Sequence, residues 1–188
     1  LGVAWFAVRH LVVLAANLRA LSAFRRSPGY ASFLQGNGEV TLMAVPLTLA
    51  MTVNVLFILG ALGVPGLWGV VEYAFPVALL AFGAIAALAL AWFGRYLSRL
   101  IARKGFDVED TNHFSQLLPA FAFSMIAVGF GASAAMSKVL ATSVLGIIGA
   151  LLFLTATAAW ILVKLPVSFA AILRKGLALE AGPTLWLG

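Results

Sequence analysis

The sequence predicts an all-α polytopic membrane protein, a single transmembrane domain of tandem parallel helical hairpins around a central pore. Three observations carry that prediction. Of 188 residues, 63% are hydrophobic and only 10% charged, against about 25% charged and about 45–50% apolar in a soluble domain. The apolar residues fall in runs at least as long as the ~20 helical residues that cross a ~30 Å hydrocarbon core. The tag IARKG at 101–105 returns as ILRKG at 172–176, each time closing an apolar run.

On that ruler the first span covers about residues 1–24 and ends in Arg25-Arg26, followed by the helix breaker Ser27-Pro28-Gly29. A loop containing Gln35-Gly36-Asn37-Gly38 leads to a second span over about 40–62. The turn GVPG (63–66) opens a third over about 67–93, with a polar continuation to Lys104. GFDVEDTNH (105–113), which holds three of the six acids, reads as a solvated loop. The fourth span covers about 114–135, and the fifth about 139–163 with an extension to 175. A sixth apolar run begins at Pro183. The start at Leu1, without a visible signal peptide, and this last run predict an internal portion of a longer protein.

Charge sorts the two sides. The net charge is +6, yet the basic residues form no continuous patch for nucleic acid. Ten of the twelve follow spans one, three and five: Arg19, Arg25, Arg26, Arg95, Arg99, Arg103, Lys104, Lys164, Arg174 and Lys175. By the positive-inside tendency those ends, at Arg25, Lys104 and Lys175, are cytoplasmic in a cell (inner or plasma) membrane. Trp68 and Tyr73 at one level, with Trp92 and Tyr96 at the other, fit interfacial anchoring in the lipid bilayer.

The repeated tag now has a reading. From Pro46 to Gly105 is 59 residues, and from Pro119 to Gly176 is 57. Each unit holds a proline-bearing helix, a short outer loop, a longer helix and the RKG tag. Because each enters and leaves on one side, the repeats are parallel, related by an axis along the membrane normal.

Pro46 and Pro119 are expected to kink their helices, which a membrane tolerates where neighbours or a water-lined cavity satisfy the freed carbonyl. The same helices collect polar residues: Thr41, Thr48, Thr52 and Asn54 in one, Ser115, Gln116, Ser124 and Ser133 in the other. The alternate spans are expected to be straight and are richer in Leu and Ala. Kinked helices inside a straight outer ring would enclose a pore. Each hydroxyl taken singly reads first as glue between helices, worth about 0.6 kcal/mol, and the sorting of polar residues into alternate helices carries the pore reading.

No carboxylate falls at mid-membrane depth, so a proton relay of the usual kind is missing. An apolar path with cationic mouths suits an anion. Arg9 lies about 15 Å from Arg19 along a helix, near the midplane, or else snorkels to the far surface. His10 and His113 are too few and too far apart to bracket a haem. Cysteine is absent, and no paired acids, nucleophile triad, phosphate loop or metal-ligand spacing appears, so no enzyme, metal or cofactor is expected. One rival is an enzyme using Asp107, Glu109, Asp110 and His113. The other is a non-transporting subunit that scaffolds a larger complex.

The order PLTLAMTVNV, WFGRYLSRL, QLLPAFAFSMIAVGFGA, AWILVKLPVSFAAILRKG and LALEAGPTLW resembles the middle of the tellurite-resistance/dicarboxylate transporter family. That family includes the bacterial TehA-type proteins and the plant slow-type anion channels. The resemblance rests on hydropathy, proline placement and the LLPA and AW…P patches, and it spans nearly the whole chain. It implies a ten-helix fold of five hairpins around a pore, kinked odd helices inside, and a homo-trimer. The present spans would be helices two to six with the start of seven. It further implies passage of small anions such as malate-like acids or sulfite, with phenylalanines closing the pore. The family's best-known gating phenylalanine belongs to the ninth helix and has no counterpart here. The pore-lining candidates are therefore Thr48, Thr52, Asn54, Phe57, Phe121, Phe123, Ser124 and Phe130, with kinks at Pro46 and Pro119.

Overall fold

The computed structural model of the chain describes residues 2–102 and 114–176. Lys104, the acidic loop with Asp107, Glu109, Asp110 and His113, and the run from Pro183 lie outside the described residues.

The described residues are helical almost throughout. Helix α1 (Gly2–Arg25) is followed by the short α2 (Gly29–Gln35), a 3₁₀ turn (Asn37–Met43), α3 (Ala44–Gly63) and α4 (Leu67–Ala102). A second 3₁₀ turn (Phe114–Leu117) then leads to α5 (Leu118–Met136) and α6 (Leu140–Lys175). The order of 3₁₀ turn, short helix and long helix thus occurs twice, with helices of 20 and 36 residues, then 19 and 36. Among the described residues, five helices are long and apolar enough to cross a membrane.

Local chemistry explains the breaks. Pro28 has no N–H to continue α1, and Ser27 Oγ donates to the Phe24 carbonyl at 2.8 Å. Phe24 then meets Tyr30 and Phe33 edge-on, at 5.7 and 5.3 Å between ring centroids, which folds α2 back against the end of α1. Between α3 and α4, Gly66 takes φ +77°, a conformation a Cβ would disfavour. Gly176, the last residue of the ILRKG tag, also has positive φ, and its N–H donates to the Ile172 carbonyl at 2.8 Å. It closes α6 as a C-terminal glycine does.

Helix α5 is the centre of the packing. It touches α3, α4 and α6, while α1 leans mainly on α3. Of the most apolar stretch of each helix, 44% is buried in Ser115–Met136, 33% in α4, 17% in α6 and 6% in α1. The Leu-rich α6 turns residues such as Leu140, Leu152 and Leu162 outward.

Its inner face is narrow. A Cβ at Gly146 would lie 2.6 Å from the Ala134 nitrogen and 2.8 Å from the Phe130 carbonyl oxygen. One at Gly149 would lie 2.6 Å from the Phe130 ring. Ser143 Oγ donates to the Ala134 carbonyl at 2.8 Å. Small residues that let two backbones meet are the usual membrane solution, because lipid supplies no hydrophobic drive between helices.

An aromatic spine runs through the bundle. Phe82, Phe130, Phe153, Phe123, Phe93, Trp160 and Tyr96 follow one another at centroid distances of 4.8 to 6.3 Å. At its end Tyr96 Oη donates to Gln116 Oε1 (2.7 Å) and Trp160 Nε1 to the Gln116 carbonyl (2.8 Å), tying α4 and α6 to the entry of α5. Trp160→Phe, which keeps a ring but removes this donor from a buried carbonyl, is expected to lower stability by about 1–2 kcal/mol. Denaturant titration in mixed micelles measures it, and an unchanged midpoint would refute the role.

The two ends differ in charge. Arg25, Arg95, Arg99 and Glu39 meet at one end, where Arg99 Nη1 lies 2.8 Å from Glu39 Oε1. At the other end, Glu72 accepts from Ser137 Oγ (2.8 Å) and from the Lys138 N–H (2.6 Å), so α4 holds the α5–α6 turn.

Pro46 and Pro119 do not stand in helix interiors. They stand in the first turns of α3 and α5, where an N–H has no intrahelical acceptor and proline is accommodated without breaking a bond. Both are fully buried. Among the described residues the prolines inside helices are Pro76 and Pro166, in the long α4 and α6 expected to be straight.

Candidate functional site

The most buried helix has one open face. On α5, Phe121 is 54% and Val128 59% exposed, and Ser124, Gly131, Ala132 and Ala135 continue the stripe at helical spacing. The remaining faces of α5 are covered by α3, α4 and α6. Helix α3 carries its own open residues, Met51, Ile58 and Leu62. Phe121 and Ser124, both sequence candidates, therefore share the stripe. Ser124 Oγ donates to the Phe121 carbonyl at 2.9 Å, which satisfies its proton locally and leaves oxygen lone pairs facing out.

The other candidates go elsewhere. Thr48 Oγ1 donates to the carbonyls of Ala44 (3.0 Å) and Val45 (2.9 Å) within its own helix. Thr52 Oγ1 donates to the Thr48 carbonyl at 2.7 Å and lies 2.8 Å from His10 Nε2, so this residue faces α1. Phe123, 1% exposed, and Phe130 are links of the aromatic spine, where their rings pack against Phe93 and Phe153.

Asn54 and Phe57 line a cavity of about 190 Å³ between α3, α4 and α5, together with Trp68, Phe75, Phe82 and Ser133. Its wall is apolar except for two groups. Asn54 Nδ2 and Ser133 Oγ are buried and have no hydrogen-bond partner among the described residues. A helical serine ordinarily bonds the carbonyl four residues back; Ser133 does not. Each unmet polar group costs about 1–3 kcal/mol, and the space exceeds the ~30 Å³ of one water. The cavity is thus able to hold hydrogen-bonding solvent or solute next to two neutral donors. Gly129 borders it, and a Cβ there would overlap the Phe82 ring.

Sequence reasoning grouped Ser133 with the polar residues but not with the site. It did not single out Gly129, Gly146 or Gly149, whose signal was closely spaced glycines on apolar helices, Gly146 and Gly149 being three residues apart. Among the described residues no group of three or more His, Asp or Glu side chains is placed to hold a metal. Compared with protein-family models, curated proteins and solved structures, the chain matches none.

Proposed function

We propose that the chain forms part of a pathway for small anions across a membrane, as an anion channel or transporter of the TehA and slow-type anion channel kind. The observation that carries this reading is the open stripe of Phe121, Ser124 and Val128 on the helix that is otherwise the most enclosed. A central helix with one uncovered face is what a path along the molecular axis needs, and a lipid-facing helix such as α6 is exposed far more broadly. The two acids among the described residues, Glu39 and Glu72, lie at opposite ends and are engaged by Arg99 and by Ser137 and Lys138. An anion on this route meets no unpaired carboxylate of theirs, while the arginines raise its concentration at one mouth. That mouth is cytoplasmic by the positive-inside tendency. Assembly as a homo-trimer, and passage of malate-like acids or sulfite or a link to tellurite resistance, belong to the same proposal and come from the resemblance.

Full-length protein in liposomes is expected to pass chloride, sulfite or malate above the leak of empty vesicles. Cysteines at Phe121 and Ser124 react with small charged thiol reagents, whereas cysteines at Leu88 and Leu152 stay protected. Equal protection at all four sites would remove the pathway.

A second reading is a non-transporting subunit whose open α3 and α5 faces are covered by helices of a larger complex. The apolar character of Met51, Ile58, Leu62 and Val128 favours it. It predicts no flux in the same vesicles.

A further inference from the structure

The basic end holds a cavity of about 180 Å³, walled by Arg25, Tyr30, Glu39, Trp92, Arg95 and Arg99 from α1, α2, the turn before α3, and α4. Its charges do not cancel. Glu39 is buried and paired with Arg99, which also donates to the Leu34 carbonyl at 3.3 Å. Arg25 and Arg95 are in surplus, with no acidic partner among the described residues. Arg25 is oriented by rings instead, 5.9 Å from the centroids of both Tyr30 and Trp92. A guanidinium held over aromatic faces keeps its N–H edge available for an anion.

Depth narrows the choice of anion. By the helical rise, Arg95 lies roughly 42 Å along α4 from Leu67, beyond the ~30 Å hydrocarbon core. Trp92, one turn earlier, stands where interfacial aromatics sit. The cavity is therefore at headgroup level.

A second feature continues it. A groove of about 480 Å³ shares Arg25 and Trp92 with the cavity and runs between α1, α3 and α4. Leu18, Leu21, Leu49 and Leu88 line it. Leu18 and Leu21 precede Arg25 by one to two turns and Leu88 precedes Trp92 by one, so the groove descends from headgroup level into the hydrocarbon. A cationic cup above an apolar channel has the polarity of one lipid molecule.

We infer that this composite site binds an anionic phospholipid. Arg25 and Arg95 grip the phosphodiester, Tyr30 and Trp92 border its glycerol, and an acyl chain lies along the leucines of α1, α3 and α4. Guanidinium forks match phosphate oxygens in pairs, and basic pockets between membrane helices are known headgroup sites. A free phosphate would use the cup alone and leave the leucine groove unfilled. The site does not depend on the transport reading.

Native mass spectrometry of the full-length protein, titrated with phosphatidylglycerol or phosphatidylcholine of identical chains, tests this. Phosphatidylglycerol is expected to bind about tenfold more tightly, the equivalent of about one charge-assisted contact. Arg25→Gln with Arg95→Gln abolishes that preference, and each single change reduces it. Both side chains are exposed, so the helical circular dichroism stays unchanged; Arg174→Gln, on α6, leaves the preference intact. Leu21→Trp, which fills the groove, weakens both lipids. Equal binding of the two lipids, or a preference that survives the double change, would overturn the site. So would glycerol phosphate or inorganic phosphate binding as tightly as the lipid, which would make the ligand a soluble anion.

Discussion

Gly146→Leu separates α5 from α6 and leaves little folded protein, while Gly146→Ala lowers stability by about 2 kcal/mol. The reason is what the new side chain meets. A Cβ at position 146 falls 2.6 Å from the Ala134 nitrogen and 2.8 Å from the Phe130 carbonyl oxygen, both backbone atoms that cannot rotate aside. The helices must move apart instead. That movement would open the Ser143–Ala134 hydrogen bond and pull Phe153 off Phe130, where the rings now stack at an interplanar angle of 8°. Overpacking ordinarily costs about 1–3 kcal/mol, and leucine adds three more carbons to the same clash. Gly131→Ala is the matched control. Nothing lies within 4 Å of a Cβ there, so alanine is neutral or stabilises α5 by up to about 1 kcal/mol through helix propensity. Denaturant titration of all three variants in mixed micelles measures the series. A Gly146→Ala protein as stable as the parent would show that α5 and α6 do not meet at this glycine.

The gap between those two glycines marks where reading the sequence stops. Class and helix number were legible, because apolar runs longer than a bilayer is thick admit few alternatives to membrane helices. The helix read as about 67–93 with a tail to 104 runs Leu67–Ala102, and the one read as 139–163 with a tail to 175 runs Leu140–Lys175. Facing was not legible. Helices α3 and α5 are mostly apolar and their few polar residues gather on no one face, so no periodicity separates a packed face from an open one. Thr52 looked as suited to a central path as Ser124, yet it turns to His10 of α1. Phe121 and Phe123, two residues apart, go to the open stripe and to the aromatic spine. The positions of the prolines were hidden for a related reason. Composition places Pro46 and Pro119 near helix starts, but only the intervening 3₁₀ turns show that each stands in a first turn. Glu72 and Gln116 are a further case, since the partners that give them a role are distant in sequence.

Ser124→Asp is expected to cut anion flux about a hundredfold, with Ser124→Asn close to the parent. On the open stripe of α5 a carboxylate would stand beside the proposed path. At a separation of ~5 Å and an effective dielectric near 20, two like charges repel by about 3 kcal/mol. Placed on the barrier to permeation, that is roughly two orders of magnitude in rate. Asparagine matches aspartate in shape and carries no charge, so the pair isolates electrostatics from size. The stripe is open, so neither side chain has to displace a packed neighbour, and Ser124 gives up only a bond to its own helix carbonyl. Thr52→Asp offers the contrast: beside His10 between α1 and α3, its charge lies off the stripe and reduces anion flux far less. Chloride or sulfite efflux from liposomes, normalised to the amount of inserted protein, provides the measurement. A flux reduced equally by Asp and Asn would point to packing, and a flux unchanged by Asp would remove the anion path from α5.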